Sequence, residues 1–190
     1  MIENEFKIML TSGQYEEIHA MYSECWDREL EQVNYYYDTP ELEMSDRHIT
    51  VRVRKINDDY FLQVKLPAES AGNGAVSRVE LEKRLTGLPK TISGADLAEL
   101  SGFQAPEVFL LGELTTRRSV RLLDGAEIDL DKSTYFGRTD YELEVEYTDE
   151  AAAKDILDTI RSRVSLDMIA PTSGKIRRFL AEYILRCEER

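Results

Sequence analysis

Charged residues alternate with apolar residues along several short segments of the chain. Residues two apart on a strand share a face, so each of these segments would carry one charged face and one apolar face. The charged faces are Glu3, Glu5 and Lys7; Arg52 and Arg54; Gln63 and Lys65; Arg78, Glu80, Glu82 and Arg84; Glu127, Asp129 and Asp131; and Glu142, Glu144 and Glu146. Clustered carboxylates suit hard cations such as Mg²⁺ or Mn²⁺. Arg and Lys suit phosphate oxygens. Together these residue types predict a metal–phosphate site.

The same alternation is also typical of an ordinary sheet with one face in water, and alternation alone favours that interpretation. Two features favour a functional face instead. Like charges recur two or three in a row, and they repel unless a counter-ion or ligand lies between them. In addition, about eight strands curled into a barrel would turn the charged face inward, where unpaired charge is costly.

The amino-acid composition argues against several classes of protein. The chain has 190 residues, 42% of them hydrophobic and 32% charged, which is typical of a globular domain. A net charge of −13 argues against non-specific binding to nucleic acid or acidic membranes. Two cysteines and two histidines argue against a disulfide scaffold and a His-rich zinc site. No membrane span or signal-peptide pattern is recognisable, so we expect a cytoplasmic location.

Hydrophobic periodicity and turn residues predict an α+β domain. Strands are expected at 3–10, 34–39, 49–55, 60–66, 78–85, 108–123, 127–130 and 139–147, and helices at 14–32, 94–100, 150–164 and 173–187. The first helix would begin after a Ser12 cap, with Cys25 and Leu30 on its apolar stripe. Asp124-Gly125 predicts a hairpin, and 67–77 reads as a loop, so the sheet should be mainly antiparallel. Trp26 and Tyr35-Tyr36-Tyr37 are expected to pack in the core, and His48 to lie at the surface.

Nine short segments, taken in order, give a more specific signal. They are ENEFK at 3–7, NYYYDTP at 34–40, VRVR at 51–54, QVK at 63–65, RVELE at 78–82, GELTTRR at 112–118, DLD at 129–131, DYELEVE at 140–146 and SGKIRRF at 173–179. This ordered set resembles the CYTH superfamily, also called the triphosphate tunnel metalloenzymes, and is most similar to its small bacterial single-domain branch. The resemblance spans nearly the whole chain, so we expect one domain over 1–190.

The resemblance implies an eight-stranded antiparallel β-barrel that forms a tunnel with a charged interior and flanking helices. It also implies hydrolysis of a triphosphate, with one or two Mg²⁺ or Mn²⁺ ions. Carried over motif by motif, the implied metal ligands are Glu3, Glu5, Asp131, Glu142 and Glu144. The implied phosphate-binding residues are Lys7, Arg52, Arg54, Lys65, Arg118 and Lys175. Asp131, Glu80 and Glu82 are the candidates for positioning the attacking water.

Several points stay open in this assignment. Arg118 is preferred to Arg117 because Thr116 and Arg118 share a face, whereas Arg177 and Arg178 are not separated by the sequence. With Glu80, Glu82 and Glu146 included, the implied lining has a net charge of −2, so activity should need divalent cations. The expected partner is a small triphosphate, with neither nucleic acid nor a membrane, and the oligomeric state is left open. The alternatives are an adenylate cyclase and a non-catalytic module that binds polyphosphate or nucleotides.

Overall fold

The computed structural model describes residues 4–67, 78–166 and 174–189. Within these ranges the chain forms nine strands and five helices. The strands are β1 (Asn4–Leu10), β2 (Arg28–Asp38), β3 (Thr50–Ile56), β4 (Asp59–Pro67), β5 (Arg78–Leu85), β6 (Thr91–Ile92), β7 (Val108–Leu123), β8 (Ala126–Tyr135) and β9 (Arg138–Tyr147). The helices are α1 (Ser12–Met21), α2 (Glu43–Asp46), α3 (Gly94–Ser101), α4 (Glu150–Arg161) and α5 (Lys175–Glu188). None of the described helices combines the length and apolar character needed to cross a membrane.

The strands form one antiparallel sheet, which confirms the expected α+β class. In hydrogen-bonded order the sheet begins at β1 and ends at β5 within the described ranges, so these hydrogen bonds do not close it into a ring. The sequence analysis missed the two-residue strand β6 and the one-turn helix α2, which are too short for a periodic pattern. Glu3, Ser173 and most of the expected 67–77 loop lie outside the described residues.

The chain packs as two compact units. Of the described residues, unit 1 comprises those within Gln32–Leu114 and from Phe179 onwards, and unit 2 comprises those up to Glu31 and within Thr115–Arg178. β2, β7 and α5 each contribute residues to both units. The expectation of a single domain over 1–190 therefore stays a prediction.

Unit 2 contains four adjacent strands in the order β1-β9-β8-β7. Ile8, Ile128, Leu143 and their apolar neighbours on the same strand faces pack in one core against α1 and α4. Gly125 makes the turn between β7 and β8 with a φ of 77°, a conformation that suits glycine, and an added Cβ would lie 2.9 Å from Asp149 Cβ. These contacts fix the apolar face of each strand and leave the charged residues on the opposite face.

Unit 1 contains the strand order β2-β3-β4-β5, with β6 paired to the first residues of β7. Val51, Val53, Leu62 and Val64 are buried in its core with residues from α2 and α3. The alternating partners of these residues are Arg52, Arg54, Gln63 and Lys65, which share the other face. Tyr36 and Tyr37 are buried as expected, and His48 is exposed.

The predicted helix over 14–32 is wrong in its second half. α1 ends at Met21, and Leu30 lies in β2, which begins at Arg28. The Asp27 amide donates to the carbonyl of Val120, so a backbone pairing distant in sequence overrides the local helical stripe. The cap is Thr11 rather than Ser12, in a capping box with Gln14.

The residues between α1 and β2 therefore do not lie on a helix, as the sequence analysis predicted, but in the connection between the two elements. Cys25 is an exposed free thiol and does not belong to the core. Trp26 packs against the core of unit 2, which confirms a packing role for that residue.

Candidate active site

Strand register assembles a charged face in unit 2. β7, β8, β9 and β1 are paired so that charged residues meet in three rows across the strands. The rows are Arg118, Asp131 and Glu142; Asp129, Glu144 and Lys7; and Glu127, Glu146 and Glu5. Directly opposed residues on neighbouring strands have Cβ atoms only about 4.5–5.5 Å apart, so the side chains of each row must interact.

Four carboxylates of this face are buried, and we call them the carboxylate cluster: Asp129, Asp131, Glu142 and Glu144. Their exposed fractions are 1%, 0%, 1% and 5%. A buried carboxylate is costly unless cations or hydrogen bonds compensate for its lost hydration. The identity of the compensating groups therefore decides what the cluster can bind.

Lys175, the first residue of α5, supplies one compensating charge. Its Nζ lies 2.9 Å from Asp131 Oδ2, 2.6 Å from Glu142 Oε1 and 2.7 Å from Glu144 Oε1. Burial alone would lower the pKa of Lys175, but attraction to these three carboxylates outweighs it and holds the pKa above its ordinary value. Lys175 is therefore a charged ammonium at the centre of the cluster.

Arg118 supplies a second charge from β7. Its Nε and Nη2 donate to the two oxygens of Asp131 at 2.7 and 2.6 Å, and Nη2 also donates to Glu144 Oε2 at 2.8 Å. Its Nη1 donates to Asp129. The planar guanidinium can donate two parallel hydrogen bonds to one carboxylate, and an ammonium cannot.

Lys7 extends the network towards the end of β1. Its Nζ lies 3.0 Å from Glu144 Oε1 and 3.0 Å from Glu5 Oε1. Lys7 and Glu5 are more exposed than the cluster itself, with 21% and 37% of their side chains accessible. Burial opposes the charge of Lys7, but Glu144 and Glu5 raise its pKa above the ordinary value.

Arg178 is a member of the site that the sequence analysis left unassigned. Its Nη2 donates to Glu142 Oε2 at 2.6 Å and its Nε donates to Asp140 Oδ2 at 2.7 Å. Tyr135 donates to the same Asp140 oxygen. Arg177 is exposed, so the orientation of α5 directs Arg178 towards Glu142 and Arg177 towards solvent.

The pKa values of the buried carboxylates are shifted in different directions. Burial raises the pKa of Glu142, and its hydrogen bond with Glu144 acts in the same direction. Burial also opposes ionisation of Glu144, but the hydrogen bond from Glu142 and the charges of Lys175, Lys7 and Arg118 hold its pKa well below the usual range. Burial, together with repulsion from Asp131 and other acids, raises the pKa of Asp129 to about 8 despite Arg118.

The donor set fits a hard divalent cation. Two triads place one carboxylate oxygen from each residue within 4.8 Å of one another, namely Glu5, Glu144 and Glu146, and Asp131, Glu142 and Glu144. All the donors are carboxylates, which is the chemistry that Mg²⁺ and Mn²⁺ prefer. Asp129 Oδ1 is buried without a hydrogen-bond partner among the described residues, so the cluster retains unused acceptor capacity.

Unit 1 carries a second group of predicted residues on its own charged face. Arg52 donates to Gln63 at 2.7 Å and contacts Glu80 at 3.3 Å, and Lys65 lies 2.9 Å from Glu80. Burial opposes ionisation of Glu80, but Lys65, Arg52 and Arg54 together outweigh it and hold the pKa of Glu80 below its ordinary value. Glu82 accepts from the Gln63 amide at 2.6 Å. Arg54 donates to Asn34 at 3.0 Å.

The structure therefore brings together most of the predicted site residues within each unit. Lys7, Arg118 and Lys175 contact the carboxylate cluster, and Glu5 contacts Lys7. Arg117 is exposed and pairs with Glu31, in keeping with the preference for Arg118. Glu3 lies outside the described residues.

The sequence analysis placed Asp129 and Gln63 on charged strand faces but assigned neither of them a role, and it assigned none to Asp140. Asp129 lies two residues before Asp131 on β8, and strand parity alone was a sufficient signal to include it. Gln63 shares its strand face with Lys65, but the contacts of Gln63 and Asp140 with Arg52 and Arg178 become visible only in the structure.

Known proteins are similar to this chain over most of its length. The family model described as CYTH domain matches residues 1–179. A Bacillus subtilis (strain 168) protein, YjbK, described as a candidate triphosphatase, is 27% identical, with 95% of each chain covered.

Solved structures share the fold. HpAC1 from Hippeastrum, described as a candidate adenylyl cyclase with a dominant triphosphatase activity, matches with a TM-score of 0.73 and 20% identity over 95% of this chain and 96% of its own. The Bacillus halodurans protein bh2851, described as a candidate adenylate cyclase, matches with a TM-score of 0.70 and 22% identity over 94% and 97%.

Proposed function

The chain belongs to the CYTH domain family, and we propose that it is a divalent-metal-dependent triphosphatase acting on inorganic triphosphate or a related small organic triphosphate. The observation that carries the proposal is the carboxylate cluster interleaved with Arg118, Lys7 and Lys175. Acids alone would hold a cation and bases alone would hold a phosphate, whereas a metal-bound triphosphate needs both. The description of YjbK as a candidate triphosphatase supports the same activity.

The proposed metal ligands are Glu5, Glu142, Glu144 and Asp131, with Glu3 carried over from the family resemblance and Glu146 added from its triad with Glu5 and Glu144. Bound there, Mg²⁺ or Mn²⁺ would neutralise phosphate charge and stabilise the charge that develops on the oxygens during transfer. The residues are acidic and closely spaced, so a divalent ion would also relieve their mutual repulsion.

The basic residues bind and orient the substrate in this proposal. Lys7 and Arg118 contact the cluster, and we propose that they hold phosphate oxygens so that the phosphorus is presented in line to water. Arg52, Arg54 and Lys65 are proposed as further phosphate-binding residues. Glu80 and Glu82 are proposed to orient water, although each already engages a neighbour in unit 1, Lys65 and Gln63 respectively.

Asp131 is proposed to act only through the metal. Arg118 donates to both of its oxygens and Lys175 contacts one of them, so two cations stabilise its ionised form. A group in this position is poorly suited to accept a proton from water.

A cytoplasmic location is also proposed, and the two exposed free cysteines are in keeping with a reducing compartment.

A panel of substrates tests the proposal. Phosphate release is measured from inorganic triphosphate, ATP and thiamine triphosphate with Mg²⁺, Mn²⁺ or EDTA, and nucleotide products are separated. We expect metal-dependent phosphate release that EDTA abolishes and Glu5→Ala removes, while Glu17→Ala, an exposed change on α1, leaves the rate unchanged. Formation of a cyclic nucleotide from ATP would indicate a cyclase. Tight triphosphate binding without turnover would indicate a binding module.

A further inference from the structure

Lys175 occupies the position that a metal ion would need in one of the two carboxylate triads. Its Nζ lies within 2.9 Å of Asp131, Glu142 and Glu144, and these same three residues place one carboxylate oxygen each within 4.8 Å of one another. A divalent ion of the Mg²⁺ or Mn²⁺ type binds carboxylate oxygens at about 2.1 Å. An ammonium and such an ion therefore compete for the same three carboxylates, and their like charges repel at this distance.

The rest of α5 is anchored independently of Lys175. Arg178 binds the other oxygen of Glu142 and also Asp140, and Phe179 is fully buried against Tyr36 at a ring separation of 4.8 Å. Lys175 is the first residue of the helix, and its flexible four-carbon stem can swing without moving the backbone. Release of its ammonium therefore costs three ion contacts but no helix packing.

We infer that Lys175 is an exchangeable internal cation: a divalent metal displaces its ammonium from Asp131, Glu142 and Glu144, and the released ammonium becomes available to phosphate oxygens. The exchange replaces one positive charge beside the triad with two, so the three carboxylates keep a cationic partner before and after it. It also links the two events that catalysis needs, because metal entry exposes a phosphate-binding group. The inference rests on the proposed metal-dependent function and concerns the order in which its parts assemble.

Chemical labelling of lysines in the unmodified protein tests the exchange without substrate. The full-length chain is treated briefly with acetic anhydride, with and without saturating Mn²⁺, and each lysine is quantified by mass spectrometry. Lys175 should react slowly without Mn²⁺, when its ammonium is held by Asp131, Glu142 and Glu144, and faster with Mn²⁺, when those three contacts are lost. Lys154, an exposed lysine paired with Glu150, is the matched internal control and should not change.

Metal affinity of variants gives a second, independent readout. Calorimetric titration with Mn²⁺ should show about tenfold tighter binding for Lys175→Met, because the metal no longer displaces a resident charge. Lys154→Met should bind as the unmodified protein does. If Lys175→Met fails to fold, the labelling experiment alone decides the question.

The possible outcomes separate this inference from the proposed function. Mn²⁺ binding with unchanged or stronger protection of Lys175 would overturn the exchange and leave the triphosphatase proposal standing. Absence of Mn²⁺ binding to the unmodified protein would overturn both. Equal or weaker Mn²⁺ binding by a folded Lys175→Met variant would also contradict the exchange.

Discussion

Arg118 and Asp131 lie directly opposite each other on β7 and β8, and the guanidinium donates hydrogen bonds to both oxygens of the carboxylate at 2.7 and 2.6 Å. Asp131 is completely buried, so the pair is removed from water. Two further N–H groups of Arg118 bind Asp129 and Glu144. One side chain thus compensates three buried acids, which makes it the electrostatic centre of the face.

Removal of this guanidinium should destabilise the fold strongly. Arg118→Ala leaves three buried acids without their shared partner, and breaking buried pairs in this way typically costs about 3–5 kcal/mol. The free energy of unfolding from urea denaturation, measured without divalent metal, is the readout. Arg117→Ala is the matched control, because Arg117 is exposed and pairs with Glu31 at the surface, where a change within about 0.5 kcal/mol is typical. Equal stability of the two variants would contradict the central role of Arg118.

Arg178 should act on metal binding through Glu142. Its Nη2 fixes one oxygen of Glu142 at 2.6 Å, so loss of the guanidinium frees the carboxylate to rotate. Groups that orient metal ligands typically contribute 10- to 100-fold in affinity, so Arg178→Ala should weaken Mn²⁺ binding by about tenfold. Calorimetric titration measures the effect, and Arg177→Ala is the neighbouring exposed control. A parallel loss in both variants would indicate disturbance of α5 rather than orientation of Glu142.

Tyr37 gives the fold a pH dependence at high pH that is separate from the carboxylates. Its hydroxyl donates to the carbonyl of Pro89 at 2.6 Å, and burial raises its pKa to about 12. The folded chain therefore keeps the proton between about pH 10 and 12 while the unfolded chain loses it. The stabilisation is fully present below pH 10 and is lost as the pH rises towards 12.

The variant Tyr37→Phe isolates this contribution. Below pH 9 it should be less stable by about 1 kcal/mol, the typical net value of one hydrogen bond. The difference from the unmodified protein should shrink between pH 10 and 12, as measured by urea denaturation at each pH. A difference that stays constant over this range would show that Tyr37 does not titrate as the geometry implies.

Strand parity allowed much of the site to be predicted from the sequence. Because residues two apart share a face, the grouping of Asp131 with Glu142 and Glu144 follows from the strand assignments once neighbouring strands are known. The family resemblance added Lys175, which is far from these strands in sequence. Hydrophobic alternation likewise placed Val51, Val53, Leu62 and Val64 in the core.

The failures have a common physical cause, which is dependence on partners distant in sequence. Residues 22–32 carry an apolar stripe that suits a helix, yet β2 begins at Arg28 and its entry is paired to Val120 through the Asp27 amide. Arg177 and Arg178 are equivalent in sequence, and only the docking of α5 decides which of them reaches Glu142. Burial of Asp129 depends similarly on its pairing with Glu144 on β9.

The most direct test of the central claim is the initial rate of phosphate release from inorganic triphosphate at saturating Mn²⁺ for the unmodified protein and Glu144→Gln. Glu144 belongs to both carboxylate triads, so loss of its charge should lower the rate at least about 100-fold. Glu17→Gln, at an exposed position of α1, should keep the full rate, and thermal unfolding confirms that both variants fold. A folded Glu144→Gln variant with the rate of the unmodified protein would contradict the assignment of the carboxylate cluster as the metal centre of a triphosphatase.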